Sequence, residues 1–218
     1  MRRGFLITLE GGEGVGKSTQ ARRLVERLTA EGWPALATRE PGGSPKAEAI
    51  RAVLLSGQVA PFGPAAEAAL FAAARIDHLD ALIRPRLAAG TTVVSDRFID
   101  STRVYQGAAG HVPAAVLAGL EHVTVGPTRP DLTLMLDLPS EVGLARAAAR
   151  RSASDAPDRF EREALAFHDA LRQGFLRIAA AEPARCAVVD ATETAEEVAA
   201  AIWATVESRL LARAAKRS

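Results

Sequence analysis

The sequence predicts an α/β fold, in which a mostly parallel five-stranded sheet carries helices on both faces. Three observations point there. Short apolar runs with β-branched members alternate with longer stretches of helical spacing. Those runs are continuously apolar, as strands buried on both faces are. Chemistry-bearing residues follow several of them directly, and in such sheets ligands bind beyond the carboxyl ends of the strands.

The elements follow in order. Residues 5–10 form a short strand, then come glycines, then a helix over 17–30 whose Leu24 and Leu28 share a face and which Gly32 ends. Residues 35–38 read as a second strand, closed by the turn Pro41-Gly42-Gly43. Helices are expected over 45–56 and 65–88, and strands over 91–95 and 132–138. Phe160, Ala164, Phe167, Leu171, Phe175 and Ile178 step by three or four, which predicts one apolar helix face. A short strand at 187–189 and a helix over 194–213 close the chain. There is no internal repeat and no low-complexity linker, so residues 1–218 read as one domain, with a lid segment at about 146–160.

Composition narrows the function. The 218 residues are 48% hydrophobic and 24% charged, an ordinary globular balance and not that of a disordered chain. No apolar run approaches the ~18–20 residues of a membrane-spanning helix, and Glu10 ends the first apolar stretch too early for a secretory signal. A net charge of +1 offers no bulk attraction for nucleic acid or an anionic membrane. The one cysteine, Cys186, reads as a buried strand residue and fits a reducing cytoplasm. His78, His111, His122 and His168 show neither metal spacing nor a nucleophile to serve, so they read as structural.

The first strand leads straight into Gly11-Gly12-Glu13-Gly14-Val15-Gly16-Lys17-Ser18-Thr19, which satisfies G-x-x-x-x-G-K-[ST]. Glycines let the backbone turn its N–H groups toward phosphate oxygens, and the following helix presents its positive end to the same anion. Lys17 would reach the β- and γ-phosphates and Ser18 would ligate magnesium. Of 27 basic residues only Lys17, Lys46 and Lys216 are lysine, so the motif carries the cation this composition otherwise avoids. The reading is nucleoside triphosphate binding in a P-loop NTPase three-layer sandwich.

The loop does not name the reaction, so the acceptor side must. Arg39 follows the second strand; Asp96-Arg97-Phe98 ends the third and leads to Ser101, Tyr105 and Gln106. Phe71 and Arg75 stand four apart on one helix, as do Arg146 and Arg150 on another, ahead of Asp158-Arg159-Phe160-Glu161. Transfer onto another phosphate needs no strong base, because the nucleophile is already anionic. Repulsion is the larger obstacle: one pair of unit charges ~4 Å apart costs ~4 kcal/mol at an effective dielectric of ~20. Arginine forks answer that need. Plainer readings stand beside these. Arg39 or Arg97 could pair with a surface acid, Asp96 could cap a helix instead of holding magnesium through water, Phe71 could be core, and Arg146 with Arg150 could be a solvated helix face.

Taken together, these segments resemble bacterial thymidylate kinases over nearly the whole chain. The resemblance rests on the loop from Glu10 to Thr19, Thr38-Arg39-Glu40-Pro41-Gly42-Gly43, Leu70-Phe71-Ala72-Ala73-Ala74-Arg75, and Asp96-Arg97-Phe98 with Ser101 and Tyr105-Gln106-Gly107. Leu134-Met135-Leu136-Asp137-Leu138, the arginines at 146 and 150, and Asp158-Arg159-Phe160-Glu161 complete it. It implies transfer of the γ-phosphate of ATP to dTMP, giving dTDP for dTTP synthesis, with Mg²⁺, in a cytoplasmic homodimer. It also implies site roles. Phe71 would stack on thymine, Arg75 would bond its edge, and Gln106 would sit nearby. Arg39 and Arg97 would hold the acceptor phosphate, with Ser101 beside them. Glu13 would contact the sugar 3′-hydroxyl and Tyr105 would crowd the 2′ position. Glycine at position 14 leaves the loop without the arginine some members carry there, so Arg150, with Arg146, resembles the lid-supplied kind. Val104 stands where alanine is usual. Two other readings remain: a P-loop kinase for another nucleotide or a nucleoside, and a non-catalytic ATP-binding module.

Overall fold

The computed structural model describes residues 3–150, 160 and 162–212. In chain order the elements are β1 (Leu6–Glu10), α1 (Lys17–Ala30), β2 (Ala35–Arg39), α2 (Pro45–Ser56), α3 (Gly63–His78) and α4 (Arg84–Ala88). Then follow β3 (Thr92–Asp96), α5 (Ile99–Thr102), α6 (Ala114–Val125), β4 (Leu132–Asp137), α7 (Ser140–Arg150), α8 (Leu165–Ala181), β5 (Cys186–Asp190) and α9 (Ala195–Val206).

The five strands form one parallel sheet in the order β2-β3-β1-β4-β5. β1 and β3 carry almost no exposed side chains, and β4 likewise until its last residue. One face packs Ile7, Leu9, Leu134 and Leu136 against Leu24 and Leu28 of α1 and Val198, Ile202 and Val206 of α9. The other packs Leu6 and Val93 against Leu79, Ile83 and Leu87, and Met135 against Leu171 and Phe175 of α8. This is the three-layer sandwich that the apolar runs predict.

Chain order reverses around β1, which lies between β3 and β4. A crevice opens there at the carboxyl ends of the strands. Register brings Leu9 opposite Asp96 and Arg39 opposite Asp96, so Glu10, Arg39 and Asp96 converge on one edge.

Several boundaries differ from the sequence reading. The helix expected over 65–88 begins at Gly63 and is broken by a wide π-helical turn over Leu79–Ile83. Pro85 explains the break: it has no N–H to continue the ladder, and Arg84 N reaches Leu79 O instead. The apolar face beginning at Phe160 is not all helix. Ala164 is extended, α8 starts at Leu165, and Phe160 lies in a turn before it. The closing helix starts at a capping box, where Thr194 and Glu197 exchange side-chain-to-backbone bonds. Past Val206 it widens into a π-helical turn. Helix α6 was not foreseen. Of the expected lid at about 146–160, residues 151–159 lie outside the described residues, as does Glu161 of the motif that ends it.

Candidate active site

The phosphate loop closes over the end of β1, and Lys17 opens α1 from its floor. Lys17 is buried, and its Nζ donates to Gly11 O at 3.2 Å and Gly12 O at 2.6 Å. Burial, then the nearby Arg97, lowers this ammonium to about 8, against the opposing pull of Glu13 and Asp96. A polyanion entering the loop would favour the charged form.

Gly14 is packed too tightly for any side chain. A Cβ there would stand 1.9 Å from Gly143 O, and a Cβ on Gly143 would stand 2.3 Å from Glu13 O. Two backbones, the loop and α7, therefore touch glycine to glycine. The same α7 carries Arg146 and Arg150. Arg150 opens on the cleft beside the loop, while Arg146 bonds Ala191 O at 2.9 Å and Thr192 O at 3.3 Å beyond β5.

Ser18 and Asp96 meet at the loop's mouth, where Ser18 Oγ donates to Asp96 Oδ2. One hydroxyl and one carboxylate suit a hard cation that also takes phosphate oxygens and water. Among the described residues no cluster of three or more acidic, histidine or cysteine side chains offers a fuller protein cage.

Arg97 is the hub of the contacts facing the phosphate loop. Its φ of 69° lies in the left-handed region, which costs a residue with a Cβ about 1–2 kcal/mol. The guanidinium donates to Glu13 Oε1 at 2.5 Å, Gly11 O at 3.2 Å and Ser101 Oγ at 3.2 Å, and lies 5.0 Å over the Tyr105 ring. Tyr105 Oη donates to the same Glu13 oxygen at 2.7 Å. Burial pushes the Glu13 carboxyl up, but Arg97, Lys17 and the Tyr105 hydroxyl outweigh it and hold the group at about 2. Burial pulls the Arg97 pKa down, and Glu13 and Tyr105 reverse that and raise it. Both groups are thus charged across the physiological range.

Deeper in the cleft, Arg75 is buried and already held. Its Nε donates to Glu40 Oε2 at 2.7 Å, and its Nη2 donates to Phe98 O at 3.2 Å and Thr102 Oγ1 at 3.1 Å. His78 Nδ1 meets the other Glu40 oxygen at 3.1 Å, which makes His78 structural as expected. Phe71 is half-buried one helical turn before Arg75, with the Phe160 ring 6.4 Å away and tilted 42°. Gln106 is buried and bonds Glu67 Oε2 at 3.3 Å. Arg39, exposed at the rim, pairs with Glu48 at 3.1 Å.

Most of these residues surround one cleft of about 350 Å³. Glu13, Gly14, Gly16, Lys17, Ser18, Arg39, Phe71, Arg75, Asp96, Arg97, Ser101, Tyr105, Gln106 and Arg150 line it together. Arg146 and Thr19 do not, and Gly11, Gly12 and Val15 instead border a small cavity behind the loop. Glu40, Arg51, Leu55, Thr102 and Phe160 also line the cleft and were assigned no site role from sequence, although Glu40 and Phe160 stand in two of its motifs. Phe160 had a usable signal, as an aromatic at the end of the expected lid.

The family model for thymidylate kinase matches residues 9–202. This chain belongs to the thymidylate kinase family. A relative from Rhodopseudomonas palustris (strain TIE-1), called thymidylate kinase, is 57% identical over 219 residues, spanning 99% of this chain and 95% of its own. The Bradyrhizobium diazoefficiens thymidylate kinase is 53% identical over 96% of this chain and 91% of its own. Among solved structures, a thymidylate kinase from Ehrlichia chaffeensis superposes with a TM-score of 0.74 at 26% identity, covering 94% of this chain and 99% of that one. The phosphate loop, the arginines at the ends of β2 and β3, and the Phe71 and Phe160 rings share a single cleft in this chain.

Proposed function

We infer that this cleft moves the γ-phosphate of ATP to dTMP, yielding ADP and dTDP. Besides family membership, one observation supports the reading most: Lys17, Arg39, Arg97 and Arg150 open on the same cleft, with an aromatic ring and a locked arginine at its far wall. A hydrolase has no use for a second anion site of this kind.

An oxygen of the dTMP phosphate attacks the γ-phosphorus in line, and the bond from that phosphorus to the β–γ bridging oxygen breaks. No residue need remove a proton. Lys17 takes up charge on the donor's β- and γ-phosphates. Arg97 and Arg39 grip the acceptor phosphate, and Arg150 covers the transferring group from α7. Ser18 and Asp96 would hold Mg²⁺, which when bound neutralises charge at the donor phosphates. Phe71 stacks on thymine, with Gln106 nearby. The Arg75 guanidinium, held by Glu40, donates to a base carbonyl and has nothing to accept cytosine's amino group. Glu13 meets the 3′-hydroxyl and Tyr105 closes the 2′ side. Gly11 to Thr19 cradle the triphosphate, and Arg146 supports its nucleoside end from beside Ala191 and Thr192.

A single domain with a lid from about residue 146 to 160, a homodimer and a cytoplasmic location belong to the same reading. Among the described residues no helix is long and apolar enough to cross a membrane. The test is a panel of acceptors, with ATP as donor and dTMP, dUMP, dCMP, dGMP and thymidine compared by kcat/KM. We expect dTMP to lead, with dUMP behind it by roughly the ~10–200-fold that one methyl group allows. Equal use of dCMP or thymidine would overturn the assignment.

A further inference from the structure

We propose that Glu10, which does not line the cleft, is a positioning residue for the acceptor phosphate, because its buried carboxylate locks the turn from which Arg97 enters the cleft. The proposal rests on the reading above that Arg97 holds that phosphate.

Arg97 is held in its left-handed conformation from every polar side of its backbone. Its N–H donates to Leu9 O at 2.9 Å, and its carbonyl accepts from Ser95 Oγ at 2.8 Å. The next N–H, that of Phe98, donates to Glu10 Oε1 at 2.8 Å. Glu10 Oε1 also accepts from Ser101 N at 3.2 Å, and Oε2 accepts from Ser101 Oγ at 2.6 Å. That hydroxyl in turn accepts from Arg97 Nη1. Glu10 thus reaches Arg97 by two routes, through the peptide that follows it and through the hydroxyl beneath its guanidinium. A strained conformation persists only where its surroundings over-determine it, and such residues cluster at functional sites.

The position suits the task. Glu10 is the last residue of β1 and fully buried, on the central strand between β3 and β4. A buried carboxylate is costly unless its oxygens are satisfied, and here they take three donors. All three come from the Asp96-Arg97-Phe98 turn and the start of α5. A plain helix cap would account for Ser101 but not for the grip on Phe98 N.

The experiment compares Glu10→Ala, Glu10→Gln and Ser95→Ala by KM for each substrate, kcat and thermal unfolding. Glutamine can keep the geometry: its Oε1 accepts from the two N–H groups and its Nε2 donates to Ser101 Oγ. We expect Glu10→Ala to raise the dTMP KM about tenfold or more while the ATP KM moves less than about twofold, with Glu10→Gln near wild type. If Glu10→Ala does not fold, Ser95→Ala should show the same selective rise in the dTMP KM. Equal losses for ATP and dTMP, or a lowered unfolding temperature with an unchanged dTMP KM, would overturn the proposal and leave Glu10 as a cap. An Arg97→Gly background separates the two ideas. There, Glu10→Ala should add no further loss of dTMP affinity. If Arg97→Gly alone leaves the dTMP KM unchanged, the phosphate role of Arg97 fails and the proposal with it; an additive loss overturns only the role of Glu10.

Discussion

Arginine lines this cleft at three depths, and each depth suits the role proposed for that residue. The Arg75 side chain is 5% exposed and fastened to Glu40, so its remaining donors point in fixed directions, as the base-reading role proposed for it would require. Arg97, at 16%, leans on Glu13, a partner that an arriving phosphate would compete with. Arg39, at 56%, sits where it could follow an incoming anion. Phe71 is half-buried on the same helix, one turn before Arg75. Phe71→Ala should weaken dTMP binding by about 1–3 kcal/mol, the usual range for base–aromatic stacking, with ATP binding unchanged in calorimetry. Equal weakening of both would make it a core residue. Lys17, Arg39, Phe71, Arg75 and Arg97 were legible in the sequence, because each follows a strand or sits at helical spacing. The parts that Glu40, Arg51 and Thr102 play at the cleft were not, although Glu40 stands beside Arg39 in its motif. Their relevance depends on partners such as Arg75, reached from 35 residues away for Glu40 and 27 for Thr102, and no local pattern records that.

At the scale of elements, the glycine-to-glycine seat between the phosphate loop and α7 has a consequence for catalysis. Any side chain at position 14 collides with backbone, and Arg150 projects from the far end of the same α7. The loop therefore has no room for an arginine of its own while α7 is docked. Arg150→Ala should lower kcat about a hundredfold or more with dTMP affinity nearly unchanged. Gly14→Ala should copy that kinetic pattern, and lose about 1–3 kcal/mol of stability in denaturant unfolding, because it pushes α7 away. A Gly14→Ala enzyme with wild-type kcat would show that α7 does not need the loop. Helices α1 and α2 were readable because Gly32 and Gly57 stop them and their starts are marked by the loop and by Ser44-Pro45. Helix α6 was not, since Ala114–Val125 is apolar on most of its faces and shows little period. The π-helical turns at Leu79–Ile83 and Glu207–Leu211 keep helical composition, so periodicity alone ran straight through them.

At the scale of the molecule, a parallel sheet whose chain order reverses around β1 explains why residues far apart in the chain meet. Each strand delivers its last residue and the loop after it to one edge, and the helices return the chain to the other. The fold class was legible because every strand is a short apolar run ending in polar chemistry. The order of the strands was not, because parallel pairing leaves no mark on neighbouring sequence. What the architecture accomplishes is to hold two anions that repel each other end to end. A single molecule can probe that directly: adenosine and thymidine joined 5′ to 5′ through a chain of five phosphates, its affinity measured by calorimetry against ATP and dTMP. The linked compound should bind about a hundredfold or more tighter than either nucleotide, and Arg97→Ala should remove most of that advantage. Binding no tighter than ATP, undiminished in Arg97→Ala, would contradict the account.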